Sequence, residues 1–573
     1  MLISKGVPKA RISIHKIVRQ APNFTVDFPE QLRAPSGEKT ISFPNQSNLE
    51  LYPDPTDDLL RVETFKDIKS MAGRFTLGLS AHRFKSKLMN DKWVTWRDLI
   101  DPHDLVVIEL GRLPDKSSAD TPYTTVMVGF VDDIYFDRTI SETGEPQYRL
   151  TITGTDLAEV MYDGRPIWID VIGESPIEGL TDIFLALTQL AVEGVDDYPA
   201  KQADFVMQEI LQRMVDFDVS YRQDAFDPQR SGDTGPTGDT ITSLFNLFRW
   251  RFRSQETTQI HPFSIKFGQT DRNAEGIMRQ VVMWPFNEFY TDMRTEDEAA
   301  IAVPPENVLG DATPVTEYTQ GKPFGKDRSY FYYLMRPNPF PWVLGKDAQE
   351  KHFVWWDWLK NHASIISEAD SYLLYEDAVM DHMSLTRREI RSAYFVTPSF
   401  SGLSNVPAIT YMPLVYNNDL LSLYGFVPFD ISTPIFATKS FTKNPKDPAF
   451  FDMWRKLTWQ LASWNNNNQF FLSGSKVVRL RPDLKIGTVL LELSPIRGDR
   501  YFYIESVHHV WDFSSENSYT ELGVTRGMKR ATYDDVNYPQ FLGQFLQETK
   551  NTIGDKLNTQ NQKVANPTQQ NWP

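Results

Sequence analysis

Apolar and polar residues alternate most clearly between positions 470 and 530. Residues 476–480, 488–493 and 501–513 are β-branched and aromatic runs, and 519–525 follows the polar stretch 514–518. Runs of this length, bounded by Gly, Pro, Asn, Asp and Ser, predict a meander of antiparallel strands. In the third run, Tyr501, Tyr503, Glu505, Val507 and His509 are expected on one face. Phe502, Ile504, Ser506, His508 and Val510 are expected on the other. A second meander is predicted upstream from residues 59–65, 73–79, 105–110, 125–136 and 148–153, with 10–18 as a further short strand. Val106, Ile108 and Leu110 fall on one pleat face, as in a half-buried strand. Gly154, Thr155, Asp156 and Leu157 are expected to open a helix. The segment VDDIYFD at 131–137 can be laid over VHHVWDF at 507–513, which suggests that the two meanders are related.

Between the meanders the period changes. Leu180, Phe184, Leu187 and Ala191 share a helical face, as do Met207, Ile210, Leu211 and Met214. Residues 231–240 are rich in Gly, Pro and Asp, and 241–252 is expected to be a helix capped by Asp239 or Thr240. Apolar runs at 279–284, 330–334, 353–358 and 390–396 and a strand at 371–377 make the middle region mixed. Residues 451–464 predict an amphipathic helix with Trp454, Leu457, Leu461 and Trp464 on one side.

The C-terminal meander carries Gly474, Arg479, Leu480, Pro482, Leu484 and Gly487. These precede Tyr503, Ile504, Ser506, Val507, His509 and Trp511, then Tyr519, Leu522, Val524, Thr525, Arg526 and Gly527. This pattern resembles the last barrel of the central baseplate hub proteins of phage tails and related contractile injection machines, including the late control gene D-like proteins. The upstream meander is similar to the first barrel of that family through Phe75, Leu77, Trp96, Leu99, Ile100, Pro102, Asp104, Val106 and Ile108. Residues 129–132, Ile152, Gly154, Asp156 and Leu157 continue that match. Residues 420–430 resemble the segment before the last barrel, with Val427 where the family has Arg.

The resemblance implies a mixed α+β, β-rich fold with two tail-tube-like antiparallel β-barrels and helical and α/β insertions between them. The expected division is an N-terminal barrel domain (1–164), a helical domain (165–255) and a mixed α/β middle domain (256–450). A helix plus C-terminal barrel (451–545) and a polar tail ordered by a partner (546–573) complete it. It also implies a homotrimer that joins a sixfold tail tube to a threefold central spike or tail-tip protein. The further partners implied are the C-terminus of a tape measure protein and the surrounding wedge proteins of the baseplate. The location implied is the virion tail baseplate, assembled in the host cytoplasm. Trp96, Trp454, Trp464 and Trp511 are the expected core or interface anchors.

Composition narrows the chemistry. With 573 residues, 37 Phe, 23 Tyr, 14 Trp and 37 Pro, the chain suits several β-rich, turn-rich domains. The absence of Cys excludes disulfides, thiolate metal sites and a Cys nucleophile. A net charge of −16 disfavours tight, non-specific nucleic-acid binding and suits transient passage of DNA. The first 20 residues lack a signal-peptide apolar core, and no apolar run reaches membrane-spanning length, so a soluble protein without membrane insertion is expected.

No catalytic, cofactor-binding or metal-binding residue is selected. The 9 His contain no HExxH pair, and no G-x-S-x-G elbow occurs. His508 and His509 are adjacent on a strand and face apart. The run Gly321–Asp327 lacks the spacing and the Ser/Thr of a phosphate loop, and Asp132 and Asp133 read as structural residues at a strand bend. The aromatic run 352–358 reads as packing before it reads as a sugar platform. A protein without enzymatic activity is therefore expected. The alternatives are a tail-tip hydrolase acting on cell wall or surface glycan, which needs only two placed acids, and a receptor-binding adhesin.

Overall fold

The computed structural model describes residues 7–15, 25–28, 31–35, 49–52, 58–81, 83–86, 92–113, 122–140, 146–159, 201–208, 210–212, 247–254, 259–260, 274–303, 315–338, 372–385, 387–398, 415–433, 457–458, 461–462, 465, 468, 471–513, 518–529 and 546–548. The N-terminal part supplies β1 (Val7–His15), β2 (Thr25–Phe28), β3 (Gln31–Pro35), β4 (Leu49–Tyr52), β5 (Leu59–Asp67) and β6 (Arg74–Ser80). It continues with β7 (Phe84–Ser86), β8 (Lys92–Val94), β9 (Leu105–Leu113), β10 (Tyr123–Ile140) and β11 (Pro146–Asp156). Their order is β5-β6-β11-β10-β9-β1-β2-β3-β4, with β7 and β8 paired apart. Ile12, Val62, Leu77, Ile108, Met127 and Ile152 come from six different strands and meet in one core. Trp96 lies fully buried in that core on a short 3-10 turn, its indole Nε1 donating to Asp58 at 2.7 Å. The expected helix at 154–157 is not formed. Gly154, Thr155 and Asp156 pair with Val131, Phe130 and Gly129 and extend β11, because the ladder satisfies their backbone groups.

The middle region holds β12 (Lys201–Gln202), β13 (Phe248–Phe252), β14 (Gln259–Ile260), α1 (Ala274–Val282), β15 (Asn287–Arg294), α2 (Glu296–Ala302), β16 (Thr316–Tyr318) and β17 (Tyr330–Pro337). Residues 203–208 and 210–212 are helical, with Met207, Ile210 and Leu211 buried as their spacing predicts. The expected helix at 241–252 is overturned in its described part, since Phe248–Phe252 is a strand in the four-stranded sheet β15-β17-β13-β16. Trp250 stacks on Tyr318 with ring centroids 4.2 Å apart, and Phe248 and Phe252 are also buried. A helix would place only one side of this run in the core, whereas a central strand buries both faces. Leu180, Phe184, Met214, Asp239, Thr240 and the run 353–358 lie outside the described residues.

The remainder provides β18 (Tyr372–Leu374), β19 (Ala378–Ser384), β20 (Ala393–Pro398), β21 (Val415–Asn417), α3 (Asn418–Tyr424) and β22 (Pro428–Thr433). Then come β23 (Leu472–Arg479), β24 (Val489–Leu493), β25 (Arg500–Asp512), β26 (Tyr519–Lys529) and β27 (Leu546–Glu548). β20, β21, β22 and β27 form a small sheet, so Leu546–Glu548, in the stretch expected to be a polar tail, is a strand paired with β21. Leu457 and Leu461 are buried together as the helical spacing at 451–464 predicts, while Trp454 and Trp464 lie outside the described residues.

The two meanders are joined directly: β5 pairs antiparallel with β25, which gives a single fifteen-stranded sheet. The protein is thus β-rich with few helices and large antiparallel sheets. Among the described residues no ladder closes either meander into a barrel, and no helix is long and apolar enough to cross a membrane.

Candidate functional site

The two meanders are built on one plan. Reading each in chain order, β1, β5, β6, β9, β10 and β11 correspond to β18, β19, β23, β24, β25 and β26. The spatial orders are β5-β6-β11-β10-β9-β1 and β19-β23-β26-β25-β24-β18. The four inner ladders are antiparallel in both. The outermost differ, because β1 is antiparallel to β9 whereas β18 is parallel to β24.

The agreement extends to single residues. The ladder of β5 with β6 shifts register between Leu59 and Arg61, and that of β19 with β23 between Ala378 and Met380. β10 shifts against β11 between Val131 and Asp133, and β25 shifts against β26 between Ile504 and Ser506. The bulged residue is an acid in both, Asp132 and Glu505. Each accepts from a threonine on the facing strand: Thr155 Oγ1 lies 3.2 Å from Asp132, and Thr525 Oγ1 lies 3.0 Å from Glu505.

The turns that lead into β9 and β24 match as well. His103 and Gly487 both have left-handed backbones, φ 67° and 69°. His103 N donates to Val131 O at 2.7 Å, and Val131 N donates to Asp104 O at 3.0 Å. Gly487 N donates to Ile504 O at 2.9 Å, and Ile504 N donates to Thr488 O at 3.0 Å. Val131 is therefore the counterpart of Ile504. The overlay of VDDIYFD on VHHVWDF is three residues out of register; the structural match is VDDIYF to IESVHH. Both segments carry apolar residues on each alternating set, so the slip does not show in the pattern, and the bulge and the turn fix it.

Between the meanders lies a cluster of buried charge. Glu288 on β15, Arg336 on β17 and Tyr503 on β25 are all buried. Arg336 Nε and Nη2 each donate to Glu288 Oε2 at 3.1 Å, and Tyr503 Oη donates to the same oxygen at 2.6 Å. Arg336 also donates to Gly487 O at 2.7 Å, and Arg294 Nη2 donates to Ile486 O at 2.6 Å. Burial pushes the Glu288 carboxyl up, with Arg336 and the Tyr503 hydrogen bond opposing it. Burial likewise pushes the Tyr503 hydroxyl well above its usual range. Lys485 Nζ reaches Glu298 on α2 at 2.6 Å. The middle sheet thus grips the 485–487 turn of the second meander through three cations.

On the first meander, Lys66 stands 3.5 Å from Asp156 and 3.8 Å from Asp292. Lys476 is fully buried, 2.8 Å from Glu492 and 3.1 Å from Asp381. His509 is buried with Nδ1 2.9 Å from Thr520 Oγ1, which accepts from Arg481 N. Burial, His508 and Lys485 pull the His509 pKa down to about 3, so the ring is neutral.

These groups face one another inside the protein. A cavity of about 20 Å³ among Thr64, Lys66, Asp292, Lys485 and His509 has room for about one water. Among the described residues no group of three His, Asp or Glu could hold a metal ion. Asp133 is bonded to its neighbour Tyr135 at 2.9 Å, and Asp132 is occupied by Thr155. Asp327 of the Gly321–Asp327 turn accepts from Thr125 N at 2.8 Å and so ties that turn to β10. Trp511 is buried like Trp96 and shares its core. Sequence reasoning missed Lys66, Glu288, Arg336 and Lys476. The available signal was a charge set inside or at the end of an aromatic or β-branched run, such as the Arg336 that ends YFYYLM.

No family model matches the chain, and no curated protein matches it in sequence. Among solved structures it is similar to the 43 kDa tail protein of prophage MuSo2 from Shewanella oneidensis, at 10% identity and a TM-score of 0.35 over 84% of this chain and 95% of that one. It is also similar to the tail protein from Neisseria meningitidis MC58, at 7% identity and a TM-score of 0.36 over 90% of this chain and 96% of that one.

Proposed function

We propose that the protein is a structural hub of a phage-type tail baseplate, acting as a non-catalytic connector. The observation that carries this reading is the duplicated meander, equivalent down to the bulged acids Asp132 and Glu505 and the left-handed turns at His103 and Gly487. One chain with two equivalent units gives a ring with twice as many units as copies. Three copies therefore present six similar β-units to a sixfold tail tube and three copies of everything else to a threefold spike or tail-tip protein. The contacts in such a ring are heterologous and close by rotation.

The buried polar cluster fits that role. Its ion pairs fix the angle between units. The net charge of −16 suits a channel through which DNA and a tape measure protein pass without tight binding. Wedge proteins of the baseplate are the expected outer partners. Native mass spectrometry and electron microscopy of the full chain test the reading. The expected result is a homotrimer with a ring of six units around a central channel. A monomer across the micromolar range overturns it.

A further inference from the structure

We propose that copies of this chain join by strand addition, with the free edge of β19 on one copy adding to the free edge of β10 on the next. This inference takes its partner, a second copy, from the hub reading, and the contact itself from the junction already present within the chain. Inside the protein, β5 is an edge strand of the first meander. It pairs with β6 on one side and with Ser506–Asp512 of β25 on the other. β24 occupies the same edge of β25 only as far as Tyr503. The counterpart of β5 is β19, and the counterpart of that stretch of β25 is the part of β10 beyond Val131.

Both counterparts are open among the described residues. β19 is paired with β23 alone, and β9 covers β10 only from Tyr123 to Phe130. An unpaired edge of this length is a template for another strand. β19 and the residue after it expose apolar side chains, with Met380 61% and Leu385 62% accessible. On β10, Tyr135 is 50% and Phe136 45% accessible.

The internal junction also sets the register. Matching the bulges places Leu59 on Ala378 and Arg61 on Met380, while the β10 and β25 bulges place Asp133 on Ser506. The pairs Val507↔Lys66 through Asp512↔Arg61 then become Ile134↔Leu385, Tyr135↔Ser384, Phe136↔Met383, Asp137↔His382, Arg138↔Asp381 and Thr139↔Met380. The residue types are complementary in this register. Two apolar residues meet at Ile134 and Leu385, and an aromatic meets a thioether at Phe136 and Met383. A slip of one position would turn each side chain to the wrong face.

The chain has no cysteine, so introduced thiols report the contact alone. Tyr135→Cys with Ser384→Cys in the full chain, under an added oxidant, is expected to link copies covalently into closed oligomers. Tyr135→Cys with the exposed Met380→Cys, four positions out of register and about 13 Å apart, is expected to stay unlinked. Leu385→Asp replaces an exposed side chain, so it should fold as wild type yet weaken self-association about tenfold or more. If the wild type forms a ring while the in-register pair stays unlinked and Leu385→Asp assembles normally, the strand pairing is wrong and the hub reading stands. A wild type that never self-associates overturns both.

Discussion

At the scale of single residues, the protein holds charges in its interior beside opposite charges, as Lys476 stands beside Glu492 and Asp381. Glu288, Arg336 and Tyr503 form a closed set that brings β15, β17 and β25 together. Such pairs add little net stability over apolar packing, but they punish misalignment, since one displaced partner leaves a buried charge unmatched. His509 is a buried base whose ring meets a hydroxyl, Thr520 Oγ1, at 2.9 Å. Its folded pKa is lowered to about 3, against about 6.5 in an unfolded chain. Above pH 6.5 the ring is neutral in both states and costs nothing. As pH falls from 6.5 towards 3, the unfolded chain takes up a proton that the folded chain refuses, and stability drops by about 1.4 kcal/mol per pH unit. His509→Gln keeps an acceptor for Thr520 and removes the titration. Melting midpoints between pH 7.5 and 4.5 should fall more steeply for the wild type than for His509→Gln. Parallel slopes would show that other groups govern the acid limb.

Among the elements, turn and bulge carry the information that strand alternation lacks. Gly487 and His103 hold the same left-handed conformation at equivalent turns, yet they should respond oppositely to substitution. A Cβ on Gly487 would come within 2.8 Å of the Tyr290 ring and 3.2 Å of Arg336. Gly487→Ala therefore adds to the backbone cost of about 1–2 kcal/mol a displacement of the buried Arg336. His103→Gly removes the same backbone cost on an exposed turn. Chemical denaturation should show a large loss for Gly487→Ala and no loss for His103→Gly; equal effects would contradict the equivalence of the turns. The strands themselves were legible, because runs such as Leu105–Leu113 and Val489–Leu493 pair β-branched residues with turn signals. Phe248–Phe252 was misread although Phe, Arg, Trp, Arg and Phe alternate with period two, because these five residues were joined to 241–247 in one helical window. The repeat was visible but misregistered, because 131–137 and 507–513 carry apolar residues on both alternating sets, so alternation alone does not choose between registers.

For the whole molecule, buried side chains from the N-terminal, middle and C-terminal stretches meet in one core. Met71 and Phe130 of the first meander, Phe289 and Tyr333 of the middle sheet, and Leu484 and Phe502 of the second meander belong to one cluster. No pattern of apolar positions announces this, because contacts between elements hundreds of residues apart leave no local period. Lys66 is the sharpest test of that continuity. It lies on β5, the strand shared by both meanders, and faces Asp156 of β11 and Asp292 of β15. Burial pushes the fully enclosed Asp156 carboxyl up, and Lys66 is the charge that opposes it most. Lys66→Met keeps the buried stem and removes the cation, at a cost of about 3–5 kcal/mol. If the meanders and the middle sheet are one cooperative body, hydrogen exchange on the full chain should accelerate together in β11, β15 and β25. Loss of protection confined to β5, β6 and β11 would mean that the first meander opens alone. The two outcomes differ in how a hub would bear load: a single body passes force from unit to unit through β5 and β25, whereas independent units would hinge at that junction.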